Sequence, residues 1–380
     1  MRLFKLLLIT IAWALAIPMS HAISLGSLLN LPAMGIPVLN YSPESTWEFG
    51  AAAQGYFRLP NQERTSIVQL DGTYSLNRQW YINAQGNLYF GANSKCSSWQ
   101  LQFRAGYSNR PATYYGTGNK GNTNIGMLRA GTPYTLQRGY VSLQAPIAIS
   151  QAWSVGPTTD FLYAQYTLPR PTQHNTTPYI LHQYALGAVA QYDTRDLTFY
   201  PTHGIFFKIS LAASYSAHTA KIALPKSAVN GHLSIDLRQY IPLPRDLVIA
   251  WQFKSQWLMS ADSISQKTMY PLLPRLGGQD GLRGINSDMF RDDVMMAFQA
   301  ELRIPIWSIF RATIFAGIGD VYDFHDWHWA IPKVGYGLGL RAAINKAKVN
   351  IRFDIARSNV DPRWNTINAY SFYLTATEAF

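Results

Sequence analysis

The 380-residue chain is poor in charge and rich in aromatic residues: 14% of its residues are charged and 14% are aromatic, including 23 Tyr and 11 Trp. Soluble globular domains carry about 25% charged residues, so this composition argues against an ordinary soluble enzyme. The net charge of +11 arises without a run of basic residues, which argues against nucleic acid as a partner and favours attraction to anionic lipid head groups.

The first 22 residues have the parts of a secretory signal peptide. Arg2 and Lys5 precede the apolar run LLLITIAWALAI, and Ser20 and Ala22 supply the small residues of a cleavage site. Residues 23–45 contain three prolines and are predicted to be a short N-terminal lead-in, with no periplasmic domain before the main fold. No later stretch reaches the roughly 18 uninterrupted apolar residues of a membrane helix.

From Trp47 onward, apolar and polar residues alternate with the period of β-strands that face different solvents on their two sides. The pattern is clearest in WQLQFRA, GIFFKISLA, HLSIDLRQ, LVIAWQFKSQW and VNIRFDIA. These segments extend over about 10 to 14 residues, which suits tilted strands that cross a bilayer. Their polar faces carry Lys, Arg, Asp and Gln, and Trp and Tyr cluster at their ends, as in a barrel with a wet lumen.

The sequence therefore predicts an all-β fold, a transmembrane antiparallel β-barrel over residues 46–380. About 15 strand segments can be placed, and single-chain bacterial barrels have even numbers, so we predict 16 strands. The missing strand lies either between Ser108 and Pro133 or just before Trp47. The last segment, AYSFYLTATEAF, places Phe372 and Phe380 on one face. A terminal Phe on an alternating strand resembles the assembly signal of bacterial outer-membrane proteins.

Two strings in the second half of the chain form recognisable motifs. The first, YDTRDLTFYPTHGIFFKIS, contains the residues of a predicted turn motif: Asp193, Arg195, Asp196, Pro201 and Gly204. The second, LGGQDGLRGINSDMFRDD, contains an arginine between small and apolar residues: Gly281, Leu282, Arg283 and Gly284. Pro201 and Gly204 suit a tight turn between strands, with the neighbouring acids and arginine as charges at the rim.

The order and spacing of these strings, with three strands between them, resemble the BamA/TamA superfamily of outer-membrane barrels, also called the bacterial surface antigen family. The resemblance covers residues 183–380, and before them only the string at residues 115–119 looks like one from short relatives. It implies a short form without periplasmic polypeptide-transport-associated domains. It also implies that the second string is a long loop folded into the lumen, with Arg283 at its tip.

A charged tip inside a barrel needs a carboxylate partner, because an unpaired charge in a confined lumen is costly. Glu301 matches the first acid that the family places opposite this arginine. The second acid is lost, because the family's Phe-x-Asp-x-Gly reads Phe315-Ala316-Gly317 here. Phe315 and Asp354 are further partner candidates, whereas strand parity turns Asp320 away. The sequence thus predicts a loop held by one acid and less firmly than in relatives.

Catalytic and metal chemistry is not indicated by the remaining residues. His325 and His328 lie three apart in the loop DFHDWHWAIP, but no third ligand stands at a recognisable spacing. The single cysteine, Cys96, lies in a turn-like segment, and no serine occupies a nucleophile elbow. We expect no enzymatic activity, no cofactor and no bound metal.

Three functional classes stay open at this point. The resemblance implies a barrel that assists the insertion or translocation of proteins, with outer-membrane or secreted proteins as clients. Because receiving domains are predicted to be absent, a separate periplasmic partner would then present the client. The second class is a passive or gated pore plugged by the lumenal loop, and the third is a structural barrel paired with another envelope protein. All three place the chain in the outer membrane, in contact with its lipid.

Overall fold

The computed structural model describes most of the chain from Ala33 onward. The described residues are 33–42, 46–60, 62, 64–91, 98–110, 112–119, 132–167, 179–197, 200–219, 227–260, 269–279, 281–307, 309–343, 350–360 and 370–375. The predicted signal peptide at residues 1–22 and the terminal Phe380 lie outside this part of the chain. None of the described helices has the length and apolarity required to cross a membrane.

The described residues form strands and two single 3-10 turns, at Pro244–Asp246 and Tyr270–Leu272. The strands are β1 (Ala33–Ser42), β2 (Thr46–Phe57), β3 (Ser66–Ser75), β4 (Trp80–Phe90), β5 (Trp99–Asn109), β6 (Ala112–Tyr114), β7 (Thr132–Tyr134), β8 (Leu136–Gln144), β9 (Ile147–Ala148), β10 (Trp153–Tyr166), β11 (Tyr179–Asp193), β12 (Gly204–Thr219), β13 (Ser227–Leu243), β14 (Leu247–Ser260), β15 (Val294–Trp307), β16 (Phe310–Tyr322), β17 (Lys333–Ala343), β18 (Asn350–Ser358) and β19 (Ser371–Thr375).

The sheet closes on itself through antiparallel neighbours. β8 and β9 both pair with β5 and β10, so they form one interrupted strand, whereas β6 and β7 form a separate hairpin. β19 pairs with β1 through Asn40 opposite Tyr373 and Tyr41 opposite Phe372. The described strands therefore make an antiparallel barrel of 16 strands, and the fold predicted from the sequence is confirmed.

The strand that the sequence left unplaced is β1. It pairs with β2 over ten residue pairs, from Ala33 opposite Gly55 to Ser42 opposite Thr46. The predicted boundaries are therefore wrong here, since part of the lead-in at residues 23–45 belongs to the barrel. Pro37 lacks an N–H for the ladder and disguises the strand in the sequence. The alternative region, between Ser108 and Pro133, contributes only the β6–β7 hairpin among its described residues.

The two faces of the wall have inverted polarity relative to a soluble sheet. Large apolar side chains such as Leu186, Leu211 and Leu338 are exposed on the outer face. Glu301 and Asp354, by contrast, are buried and point inward. An apolar outer band with polar residues inside is the arrangement of a barrel that stands in lipid.

The two ends of the barrel differ in their connections. At one end, called here the turn end, short connections follow β9, β11 and β13, at residues 149–152, 194–203 and 244–246. At the other, the loop end, long connections follow β5 and β14.

The loop after β14 supplies a core inside the barrel. Its apolar side chains pack against the start of β15 and the end of β16, in a buried cluster that includes Leu276, Leu282, Ile285, Phe290 and Val321. A second buried cluster joins Tyr270 of this loop to the β6–β7 hairpin through Tyr134. The lumen near the loop end is therefore filled by the protein itself, as predicted for a long loop folded inward.

Candidate functional site

The backbone of the loop turns sharply at its glycines. Leu282 donates its N–H to the Leu276 carbonyl at 2.7 Å, and Gly278 donates to the Ile285 carbonyl at 2.9 Å. Gly284 has a φ of +90°, a value that L side chains rarely adopt, and a Cβ there would overlap the Arg357 carbonyl on β18. The glycine thus lets the loop tip lie directly against the wall.

Arg283, at the tip, is held on three sides. Its Nη1 donates to Asp354 Oδ2 at 2.9 Å, and its Nη2 donates to Glu301 Oε2 at 3.1 Å. The guanidinium carbon lies 3.7 Å from the centre of the Phe315 ring, a cation–π contact. The arginine side chain is 1% exposed and both carboxylates are fully buried. We call these four residues the loop lock.

The pairing of Arg283 with Glu301 that the sequence predicts is present, and Phe315 and Asp354 also contact the arginine. Asp354 on β18, a further partner candidate in the sequence, supplies a second carboxylate, so the expectation that a single acid holds the loop is wrong. At Gly317, where the family has an acid, other side chains take up the space: a Cβ there would lie 2.6 Å from Leu282 Cδ1 and 2.7 Å from Gln299 Cγ. The space at Gly317 is therefore used by the loop.

Further arginines surround the two carboxylates of the lock. Arg303 Nε donates to Glu301 Oε1 at 2.7 Å, and Arg341 Nη1 donates to Asp354 Oδ1 at 2.6 Å. Arg352 Nε lies 3.5 Å from Asp354 Oδ2. These arginines were not predicted from the sequence as residues of the site. The available signal was their spacing, since Arg303 and Arg352 stand two residues from Glu301 and Asp354 and so share their lumen faces.

The loop backbone is also anchored to the wall. Gln299 on β15 donates its amide to the Gly281 carbonyl at 2.8 Å, and the Gly284 N–H donates to the Tyr373 hydroxyl at 3.5 Å. Tyr373 lies on β19 and is paired with Asn40 of β1. The tip therefore reaches the strands that close the barrel.

The first motif forms the turn between β11 and β12. Arg195 binds Asp193 through two hydrogen bonds, Nε to Oδ1 at 2.9 Å and Nη2 to Oδ2 at 3.0 Å. Gly204 has a φ of +106° where a Cβ would overlap the Thr194 carbonyl. The Pro201 carbonyl accepts a hydrogen bond from Arg303 Nη1 at 2.9 Å. Because Arg303 also binds Glu301, the two sequence motifs are joined by a continuous chain of contacts.

Asp196 organises the same turn. Its Oδ1 accepts the Thr202 N–H at 2.9 Å, and its Oδ2 accepts the Thr202 hydroxyl at 2.6 Å. Partial burial raises the pKa of this carboxyl, but the hydrogen bonds from Thr202 and His203 outweigh burial and hold the pKa below its ordinary value. The carboxylate form therefore stabilises the turn.

The sequence profile of the Omp85 superfamily domain matches residues 72–380. The chain belongs to the Omp85 superfamily. The resemblance drawn from the two motifs is thereby confirmed. No curated protein sequence matches the chain.

Solved structures share the fold of this Omp85 chain. BamA from Haemophilus ducreyi lacking POTRA domains 1–3 has a TM-score of 0.54 at 13% identity, covering 90% of this chain and 70% of that one. CdiB from Acinetobacter baumannii has a TM-score of 0.53 at 10% identity, and CdiB from Escherichia coli has 0.52 at 12%. The match covers 90% of this chain but only 59% and 62% of the two CdiB chains.

The string at residues 115–119 lies against the loop of this Omp85 barrel. Asn286 donates its amide to the Tyr115 hydroxyl at 3.1 Å, and Gly118 donates its N–H to the Arg291 carbonyl at 3.0 Å. Lys333 Nζ donates to the Asn119 carbonyl at 3.2 Å and to Asp320 Oδ1 at 2.7 Å. Asp320 therefore pairs with Lys333, away from the loop lock, so it does not replace the acid missing at Gly317.

The remaining predicted residues lie apart from the lock. Phe372 is on β19, opposite Tyr41, and its proposed role in assembly stays a prediction. The His325 ring lies 3.0 Å from the Ser260 carbonyl, while His328 contacts Asp326. Among the described residues, neither histidine belongs to a group of three potential metal ligands.

Proposed function

We propose that this Omp85 barrel stands in the outer membrane and assists the insertion or translocation of proteins there, without catalysing a reaction. Membership of the superfamily and the shared fold with BamA and CdiB support this role. The client would be an outer-membrane or secreted protein, and a separate periplasmic protein would present it. Short turns face the periplasm in outer-membrane barrels, so the client would arrive at the turn end.

The observation that carries the proposal is the position of the loop lock relative to the closing strands. Arg283 binds Glu301 on β15 and Asp354 on β18, and its neighbour Gly284 contacts Tyr373 on β19. A loop tip fixed to these strands braces the side of the barrel where β19 meets β1. Release of the tip would free the strands that a client segment has to pass or pair with.

A gated pore is the second candidate function. The observation that favours it is an open cavity of about 930 Å³ in the lumen, beside the filled region. In a pore, movement of the loop would connect this cavity to the loop end.

Reconstitution of the purified full chain into liposomes distinguishes the two. The rate at which a urea-unfolded model outer-membrane protein folds into these liposomes is compared with the rate in empty liposomes, by the shift in mobility of the folded client on gels. We expect the barrel to accelerate folding several-fold. No acceleration, together with single-channel currents in planar bilayers, would reject the insertion role and support the pore.

A further inference from the structure

The open part of the lumen has a strongly basic lining. This cavity, called here the basic chamber, is bounded by the inner faces of β3–β5 and β8–β13 near the turn end, and its volume is about 930 Å³. Its five cationic residues lie on separate elements of the wall. They are Arg64 before β3, Arg104 on β5, Arg195 in the turn after β11, Lys208 on β12 and Arg238 on β13.

Few carboxylates balance these cations. Among the described lining residues, the acid is Asp193, which forms its two hydrogen bonds with Arg195. Asp236 lies next to the chamber and binds Arg238, with Nε to Oδ1 at 2.9 Å. Asp160 on β10 is a third nearby acid and interacts electrostatically with Lys208. Counting these three acids, the cations still outnumber the carboxylates by five to three, so the chamber has a positive potential.

Neutral groups hold two of the other cations. Lys208 Nζ donates to Gln102 Oε1 at 3.0 Å, and Gln102 in turn exchanges hydrogen bonds with Gln191 at 3.2 and 3.3 Å. These contacts cross the lumen, because two strands lie between β5 and β11 and three lie between β5 and β12. Arg64 lies over the Tyr89 ring. An amide or a ring positions a cation without neutralising it, although Lys208 also stands opposite Asp236 in the β12–β13 ladder. Arg104 is exposed in the lumen.

We propose that the basic chamber binds a small, multiply charged anion that carries phosphate or carboxylate groups and enters from the turn end. Arginine presents a planar fork of donors that matches both groups. The volume falls within the range of small-molecule sites. The site stands independently of the protein-insertion role.

The wall of the chamber excludes a membrane lipid as the source of the anion. Every strand from β3 to β5 and from β8 to β13 is paired with the next one. A phospholipid whose acyl chains stay in the bilayer has no path for its head group through this paired wall. The ligand is therefore a free solute.

Titration with inorganic pyrophosphate tests the site. The full chain in neutral detergent is titrated by calorimetry, alongside the double variant Arg104→Gln/Lys208→Gln. We expect one pyrophosphate per wild-type barrel and a loss of about tenfold or more in affinity for the double variant, because two charge-assisted contacts are removed. Arg58→Gln, which changes an exposed arginine outside the chamber lining, is the matched control and is expected to bind within about twofold of wild type.

Two results would overturn the proposal. The first is the absence of pyrophosphate binding to the wild-type barrel. The second is an equal loss in Arg58→Gln and in the double variant, which would assign the binding to net charge alone. Heat-modifiable mobility on gels verifies that both variants are folded barrels, and Arg104→Lys should retain more affinity than Arg104→Gln if the charge is what matters. The client-folding assay is a separate readout, so failure of either proposal leaves the other standing.

Discussion

The loop lock and the basic chamber both place arginine inside the barrel, but the arginine of the lock is buried and paired with acids, whereas Arg104 of the chamber is exposed. In the lock, Arg283 is 1% exposed and its charge is met by two carboxylates. In the chamber, Arg104 remains exposed to the lumen, and the cations outnumber the nearby acids. A buried charge requires a partner, whereas a hydrated one does not. The paired region therefore holds structure together, and the hydrated region keeps its charge available for a ligand.

Removal of a shared acid gives the largest expected effect. Glu301→Ala leaves Arg283 and Arg303 without this carboxylate, and loss of one partner of a buried ion pair costs about 3–5 kcal/mol. We expect a loss of this size in the free energy of unfolding, measured by denaturant titration in detergent micelles. In the open region, Arg104→Ala should change the free energy of unfolding by less than about 0.5 kcal/mol. Equal losses in both variants would contradict the contrast between the two regions.

Arg283→Ala tests whether the lock holds the loop in the lumen. Without the arginine the tip loses both ion pairs and its contact with Phe315, so the loop should become accessible. We expect faster proteolysis near Gly277 and Gly278 and a higher single-channel conductance than in wild type. Arg58→Ala removes an exposed arginine instead and should change neither. Wild-type cleavage rates and conductance in Arg283→Ala would show that other loop contacts suffice.

Gly284→Ala probes the close approach of the tip to β18. The positive φ and the overlap with the Arg357 carbonyl should cost about 1–3 kcal/mol in the free energy of unfolding. Gly35→Ala is the matched control, because a Cβ there meets nothing within 4 Å. If the two alanine variants unfold alike, the tip is not held against the wall as described.

The smallest effect concerns the turn at Asp196 and depends on pH. Because the folded pKa is lowered, the carboxylate stabilises the turn above the unfolded pKa of about 3.9, and this contribution is lost as the pH falls through the folded pKa. At pH 7, Asp196→Asn should reduce the protection of the Thr202 and His203 amides against hydrogen exchange, by less than about 1 kcal/mol. At acidic pH, wild type and variant should converge. If the difference in amide protection between wild type and Asp196→Asn does not change with pH, the charge of Asp196 is not what stabilises the turn.

Alternation in the sequence was enough to predict the barrel and its inner face. Glu301 was found as a partner of Arg283 from its place on that face and from the family motif. The sequence offered Asp354 as a further candidate but did not decide that it would supply the second carboxylate, because that contact depends on how β16, β17 and β18 align. Nor did it show that Leu282 would fill the space at Gly317.

The sequence did not predict the basic chamber, and it offered the region of β1 only as one of two places for the sixteenth strand. The cations of the chamber are spread from Arg64 to Arg238, and closure of the sheet alone brings them together. No local pattern marks such a convergence. β1 was hidden by Pro37, whose penalty is overcome by the ten residue pairs that β1 makes with β2.

The hydrogen bond from Arg303 to the Pro201 carbonyl couples the turn motif to the loop motif, so the two sequences should evolve together. One side chain serves both, since it also binds Glu301 of the lock. A mutation that reshapes the 194–203 turn shifts Arg303, which also binds Glu301, the partner of Arg283. The change therefore reaches the loop tip, about 80 residues further along the chain, through charge-assisted hydrogen bonds. We expect relatives that have altered one motif to carry compensating changes in the other, which an alignment of the two strings would reveal as covariation.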